Sequence, residues 1–78
     1  MTDAERPMPP VFLLTPQSLH REAAVQLEKA IQHHRQAASL HEAGDAREAE
    51  THGSMAYNHT AHGLDVSARA LTGDSPSE

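Results

Sequence analysis

The chain contains no cysteine and no tryptophan, and its aromatic residues are limited to Phe12 and Tyr57. Without cysteine, disulfides, thiolate zinc sites and thiol catalysis are all excluded, so histidine and carboxylate side chains remain as the strong metal ligands. The six lysines and arginines are dispersed along the chain. The sequence therefore lacks both the basic patch and the aromatic stacking residues of a nucleic-acid-binding protein, and we expect no nucleic-acid partner.

Large apolar residues are also scarce. Leu, Ile, Val and Phe together make up twelve of the 78 residues, which is below the roughly 20 % at which disorder becomes an alternative. The formal net charge is only -5, however, and abundant alanine with helix-period patterning favours an ordered chain. Burial of so little apolar area does not readily offset the backbone entropy that is lost on folding, which costs about 1–2 kcal/mol per residue. We therefore expect self-association, as a homodimer, or a bound ligand.

No segment indicates a membrane span or a secretory signal. The main apolar run, residues 11–14, is far too short to cross a bilayer, and the first ten residues lack the basic and long apolar regions of a signal peptide. We expect a cytoplasmic protein with no membrane association.

Capping signals predict two long helices. Thr15 followed by Pro16 is a typical helix start, because threonine caps the first turn and proline is well tolerated at the first helical position. Gly44 suits the left-handed residue that ends a helix, and Asp45 is a favoured N-cap for the next one. The chain is therefore expected to reverse direction at these two residues.

The predicted fold is all-α, an antiparallel two-helix hairpin at residues 15–73 that dimerises into a four-helix bundle. Its helices are expected at about 16–43 and 46–72. Residues 1–14 are interpreted as an irregular arm with an apolar patch, and residues 74–78 as a disordered tail. The residues expected to form apolar interface contacts are Phe12, Leu13, Leu14, Leu27 and Ile31.

Histidines are the most unusual feature of the sequence, which has seven of them. In the first helix a strict seven-residue register is shared by His20, Leu27, His34 and His41. In the second helix the same register is shared by His52, His59 and Val66. We interpret both stripes as contact faces, so that imidazoles from the two helices meet when the chain folds back.

Imidazole nitrogen is the preferred protein ligand of zinc, copper, nickel or cobalt when thiolates are absent. The sequence therefore predicts a transition-metal site, and its candidate ligands are His34, His41, His52, His59 and His62. The alternative interpretation is that these side chains are polar residues that form hydrogen bonds across a helical interface and fix its register. His20 and His33 are interpreted as histidines of the surface or of the end of the bundle.

Two glycines inside the second helix, Gly53 and Gly63, require a packing reason because each costs about 1 kcal/mol relative to alanine. One small-residue face consists of Ala46, Ala49, Gly53, Ala56, Thr60, Gly63, Ser67 and Ala70. A neighbouring face carries the histidines and consists of Ala49, His52, Ala56, His59, Gly63, Val66 and Ala70. Small residues allow close approach either to the first helix or to a second copy of the protein, and the sequence leaves both open.

No catalytic motif is present, since the serines and threonines lack the context of a nucleophile elbow or a Ser-His-Asp triad, and we expect no enzymatic activity. The leading functional hypothesis is a small histidine-rich protein that binds a transition-metal ion. The competing hypothesis is a metal-free structural or adaptor module that acts through protein–protein contacts of the bundle and the apolar patch at residues 11–14.

Residues 33–63 carry a resemblance to known proteins. The segment His-Glu-Ala-Gly-Asp from His41 to Asp45 is followed by recurring alanines and histidines, namely Ala49, His52, Ala56, His59 and His62. This stretch resembles small histidine-rich bacterial helical hairpin proteins. The resemblance implies a helical hairpin and implies no particular activity.

Overall fold

The computed structural model describes residues 15–72, which form two packed α-helices. Helix α1 spans Pro16–Glu42 and helix α2 spans Ala46–Thr72. The predicted all-α hairpin is thus confirmed, with α1 ending one residue earlier than expected. The predicted arm, including Phe12, Leu13 and Leu14, and the predicted tail at residues 74–78 lie outside the described residues.

A capping box begins α1. The hydroxyl of Thr15 accepts a hydrogen bond from the backbone N–H of Ser18 at 3.1 Å, and the Ser18 hydroxyl accepts one from the N–H of Thr15 at 2.9 Å. Pro16 follows as the first helical residue. Two backbone donors that the helix itself leaves without partners are therefore satisfied by side chains. The sequence predicts the cap made by Thr15.

The turn between the helices depends on Gly44, whose φ of 85° lies in the left-handed region. The N–H of Asp45 donates to the carbonyl of Leu40 at 2.8 Å, and the N–H of Gly44 donates to the carbonyl of His41 at 3.0 Å. This is a Schellman motif. The carboxylate of Asp45 then accepts a hydrogen bond from the N–H of Glu48 at 3.2 Å and caps α2. The chain therefore reverses with almost no intervening loop.

The helices pack through a contact surface that we call the seam. From α1 its buried residues are Leu19, Ala23, Gln26, Ala30 and Ala37. From α2 its buried residues are Ala49, Ala56, Gly63, Val66 and Ala70. Small residues recur every seven positions in both helices, which allows the helix axes to approach closely. At Gly63 an added Cβ would lie 2.9 Å from Cδ2 of Leu27, so this glycine has the packing reason that its position in a helix requires.

Larger apolar side chains meet at the end of the seam far from the turn. There Leu19, Ala23, Val66 and Ala70 form a buried cluster. Of the eight buried apolar residues in the described region, six are alanine, and a core of this kind removes little apolar area from water.

The predicted contact face of α1 is wrong by one position. The residues expected to form it, His20, Leu27, His34 and His41, are all exposed. The true contact face of α1 lies one residue earlier along the chain and includes its three evenly spaced buried alanines. For α2, the face that carries His52 and His59 is the one that contacts α1, as predicted.

Neither helix within residues 15–72 is long and apolar enough to cross a membrane.

Candidate functional site

Two histidines face each other across the middle of the seam. Nδ1 of His33 in α1 lies 2.9 Å from Nδ1 of His52 in α2, and the two rings are stacked with centroids 5.1 Å apart. Both side chains are half-buried. At this distance one nitrogen donates and the other accepts, so the two rings cannot both carry a proton on Nδ1.

A second polar pair lies about two helical turns further from the hairpin turn. Nδ1 of His59 is 2.7 Å from Oε1 of Gln26, so the ring nitrogen donates to the amide oxygen. Gln26 is only 8 % exposed, and its amide nitrogen donates to the carboxylate of Glu22 at 2.8 Å. The buried amide is therefore satisfied on both of its ends, which a polar group in a low-dielectric contact requires.

The two pairs form one continuous polar strip. The rings of His33 and His59 stack nearly parallel, with centroids 5.7 Å apart and an interplanar angle of 4°. From the turn outward, the strip runs through His52, His33, His59, Gln26 and Glu22. Its histidines and Gln26 are the long side chains of this part of the seam, and alanines and Gly63 lie between them. The strip therefore defines which residues of α1 lie opposite which residues of α2.

The structure separates the predicted metal ligands. His52 and His59 lie on the seam and are half-buried, whereas His34, His41 and His62 are exposed. His33, interpreted from the sequence as a surface residue, is the histidine that reaches the seam, so that interpretation is wrong. Within residues 15–72 no group of three or more histidine and acidic side chains is arranged to hold a metal ion.

Sequence reasoning missed His33 and Gln26. The signal that identifies them is the spacing of alanine in α1, since Ala23, Ala30 and Ala37 recur every seven residues and match a similar heptad of small residues in α2. Aligning the two small-residue heptads assigns Gln26 and His33 to the positions between them.

A second face of the hairpin is largely exposed along both helices, with only Gly53 and Ser67 half-buried. Its α1 residues follow a three-four spacing: His20, Ala24, Leu27, Ile31, His34, Ala38 and His41. Its α2 residues follow the same spacing: Ala46, Glu50, Gly53, Tyr57, Thr60, Leu64, Ser67 and Leu71. We call this surface the second face. Near the turn, His41 of α1 and Gly53 and Tyr57 of α2 line one groove of about 600 Å³, so the two stripes lie on the same side of the hairpin.

Charge is strongly segregated between the second face and the rest of the hairpin. Of the eleven Asp, Glu, Lys and Arg residues in the two helices, only Glu50 belongs to the second face. Several of the large exposed apolar side chains lie on this face, among them Ile31 at 48 %, Leu64 at 69 % and Tyr57 at 70 % exposure. An apolar surface with so few charges is typical of a protein-interaction surface.

Comparisons with protein-family models, with curated proteins and with solved structures found no match to this chain.

Proposed function

We propose that this chain is a non-enzymatic structural module that associates with a second copy through the second face and forms a four-helix bundle. The observation that carries the proposal is the combination of exposed apolar residues and a single charged residue, Glu50, along one side of the hairpin. The small core gives the physical reason, because a domain of this size with mainly alanine in its interior gains little free energy from folding alone.

A second copy is the occupant that fits the dimensions of the second face. Each helix has 27 residues and is therefore about 40 Å long. The other apolar cluster of the chain, residues 11–14, spans at most about 14 Å even when fully extended, so it is too short to cover the face. A second hairpin has two helices of matching length and the same surface of low charge, and it buries both second faces together.

The test compares two exposed aliphatic residues of α1 on opposite sides of the hairpin. Ile31 is 48 % exposed on the second face, and Val25 is 42 % exposed on the other side. Ile31→Glu should weaken dimerisation by about 3 kcal/mol, roughly a hundredfold in Kd, because a charge is left unpaired in the interface. Val25→Glu should leave the Kd nearly unchanged. Sedimentation equilibrium at micromolar concentrations measures both.

The unmodified chain should sediment with twice its monomer mass of 8.5 kDa. A well-folded monomer at these concentrations contradicts the proposal, and so does an equal effect of the two glutamate variants. Circular dichroism establishes that both variants remain helical, so that loss of folding is not mistaken for loss of association.

A second candidate function, transition-metal binding, is favoured by the facing nitrogens of His33 and His52. Two nitrogens bound to one tetrahedral zinc ion at 2.0–2.1 Å are separated by about 3.3 Å. The observed separation is 2.9 Å, so the rings need to part by only a few tenths of an ångström to bind one ion. The stacked ring of His59 is the nearest candidate for a third ligand. Zinc, copper, nickel and cobalt are the ions suited to such ligands.

Calorimetric titration of the untagged protein with Zn²⁺ tests this candidate. We expect stoichiometric binding that His33→Ala and His52→Ala abolish. His34→Ala and His41→Ala are the matched controls, because these imidazoles are exposed and should not contribute. Binding that survives His33→Ala, or that depends equally on all four histidines, contradicts a metal site in the seam.

A further inference from the structure

The seam shows how two antiparallel helices of this sequence align. His33 faces His52 and Gln26 faces His59, so the residue numbers of each facing pair total 85. Across the same seam, a Cβ added at Gly63 would lie 3.5 Å from Cβ of Gln26, so this small residue packs beside a large side chain of the other helix. The large polar side chains therefore meet in antiparallel pairs, and small residues lie next to them.

The α1 stripe of the second face reads almost the same in both directions. Ile31 is its centre, and Ala24 and Ala38 lie seven residues before and after it. His20 and His41 are the two ends. In an antiparallel pairing of two copies of α1 about Ile31, the residue numbers total 62 for Ile31 with Ile31 and for Ala24 with Ala38, and 61 for His20 with His41. The remaining pair in this register is Leu27 with His34.

We infer that two copies pair through antiparallel α1 helices with the two-fold axis at Ile31. This inference rests on the proposed dimer and specifies its register. Ile31 then faces Ile31 of the second copy, Ala24 faces Ala38 of the second copy, and His20 faces His41 of the second copy. A two-fold interface requires a surface that is complementary to itself after reversal, and this stripe has that property.

The side chains suit such a contact. Two isoleucines at the axis set an ordinary helix separation of about 8–10 Å. The alanines on either side leave room that Leu27 and His34 are long enough to fill. No Lys, Arg, Asp or Glu occurs in the α1 stripe, so the pairing buries no formal charge on these helices.

The absence of cysteine makes disulfide cross-linking a direct test, since each single variant carries one thiol. Ile31→Cys should oxidise to a covalent dimer roughly tenfold faster than Val25→Cys, because only thiols near the axis meet the short Cβ–Cβ distance of a disulfide. Val25 is the matched control, being similarly exposed on the opposite side of α1. Non-reducing electrophoresis and mass spectrometry measure the products.

A mixture of Ala24→Cys and Ala38→Cys gives an independent readout. In the inferred register these two variants should cross-link with each other in preference to themselves, because each faces the other across the axis. A dimer in sedimentation whose Ile31→Cys variant cross-links no faster than Val25→Cys overturns the register and leaves the proposed dimer standing. A monomer in sedimentation overturns both. Preference of Ala24→Cys for itself also overturns the register.

Discussion

The three described glycines of the hairpin have different physical roles. Gly44 has a left-handed backbone, with a φ of 85°. Gly63 is needed for close packing, because an added Cβ would lie 2.9 Å from the side chain of Leu27. Gly53 is half-buried on the second face, and apart from its own stretch of helix no atom lies within 4 Å of the position of a Cβ. The sequence shows all three as glycine, and only the structure distinguishes these roles.

Gly44→Ala should lower the free energy of unfolding by about 1–2 kcal/mol, because an alanine Cβ is strained in the left-handed region. The Schellman hydrogen bonds of the turn depend on this conformation. Gly44→Asn is the control, since asparagine tolerates left-handed backbone better, and it should lose less stability. Urea unfolding at one fixed protein concentration measures both. Equal stability of the alanine variant and the unmodified chain would show that the turn does not need its glycine.

Between the two helices, the half-buried polar strip should stabilise the hairpin through the buried amide of Gln26. Gln26→Ala should lower the free energy of unfolding by about 1–3 kcal/mol, because the side chain of His59 loses its acceptor inside the seam. Gln36→Ala is the matched control, since Gln36 is exposed on the same helix, and its effect should stay within about 0.5 kcal/mol. Thermal and urea unfolding measure the difference. If both variants unfold alike, the Gln26–His59 hydrogen bond does not stabilise the hairpin.

Helix existence and the turn could be predicted from sequence because their determinants are local. The side chains of Thr15 and Asp45 cap nearby backbone N–H groups, whereas Pro16 and Gly44 act through their own backbone conformation. Each is found in its predicted role. The contact face of α2 could also be predicted, since small residues and histidines share one stripe.

The contact face of α1 could not be predicted from its hydrophobic pattern. Leu27 and Ile31 are large apolar residues, which favours a prediction that they are buried. They nevertheless lie on the second face, while Ala30 and Ala37 lie in the seam. Alanine offers little hydrophobic contrast, so a helix with two apolar stripes gives an ambiguous pattern. Consequently the candidate site was predicted in part: His52 and His59 were recognised, and His33 and Gln26 were not.

In the hairpin as a whole, each of the two apolar stripes of α1 has its own role. One stripe packs inside the hairpin, and the other contributes to the second face together with α2. A two-helix hairpin that buried all its apolar residues internally would need only the first stripe. The second stripe is therefore the part of the sequence that an isolated hairpin does not use, and the proposed dimer uses it.

The equal lengths of the two antiparallel helices affect how fast such copies meet. Each helix has 27 residues, so their dipoles oppose each other and nearly cancel. The nearly uncharged faces that approach in the proposed dimer add no attraction at long range. Encounter is then governed by diffusion and orientation, with an association rate constant of about 10⁵–10⁶ M⁻¹s⁻¹. This rate constant should rise with ionic strength, because each copy has a formal net charge of -5 and salt screens their repulsion. Slow dissociation, rather than rapid capture, would have to provide the stability of the assembly.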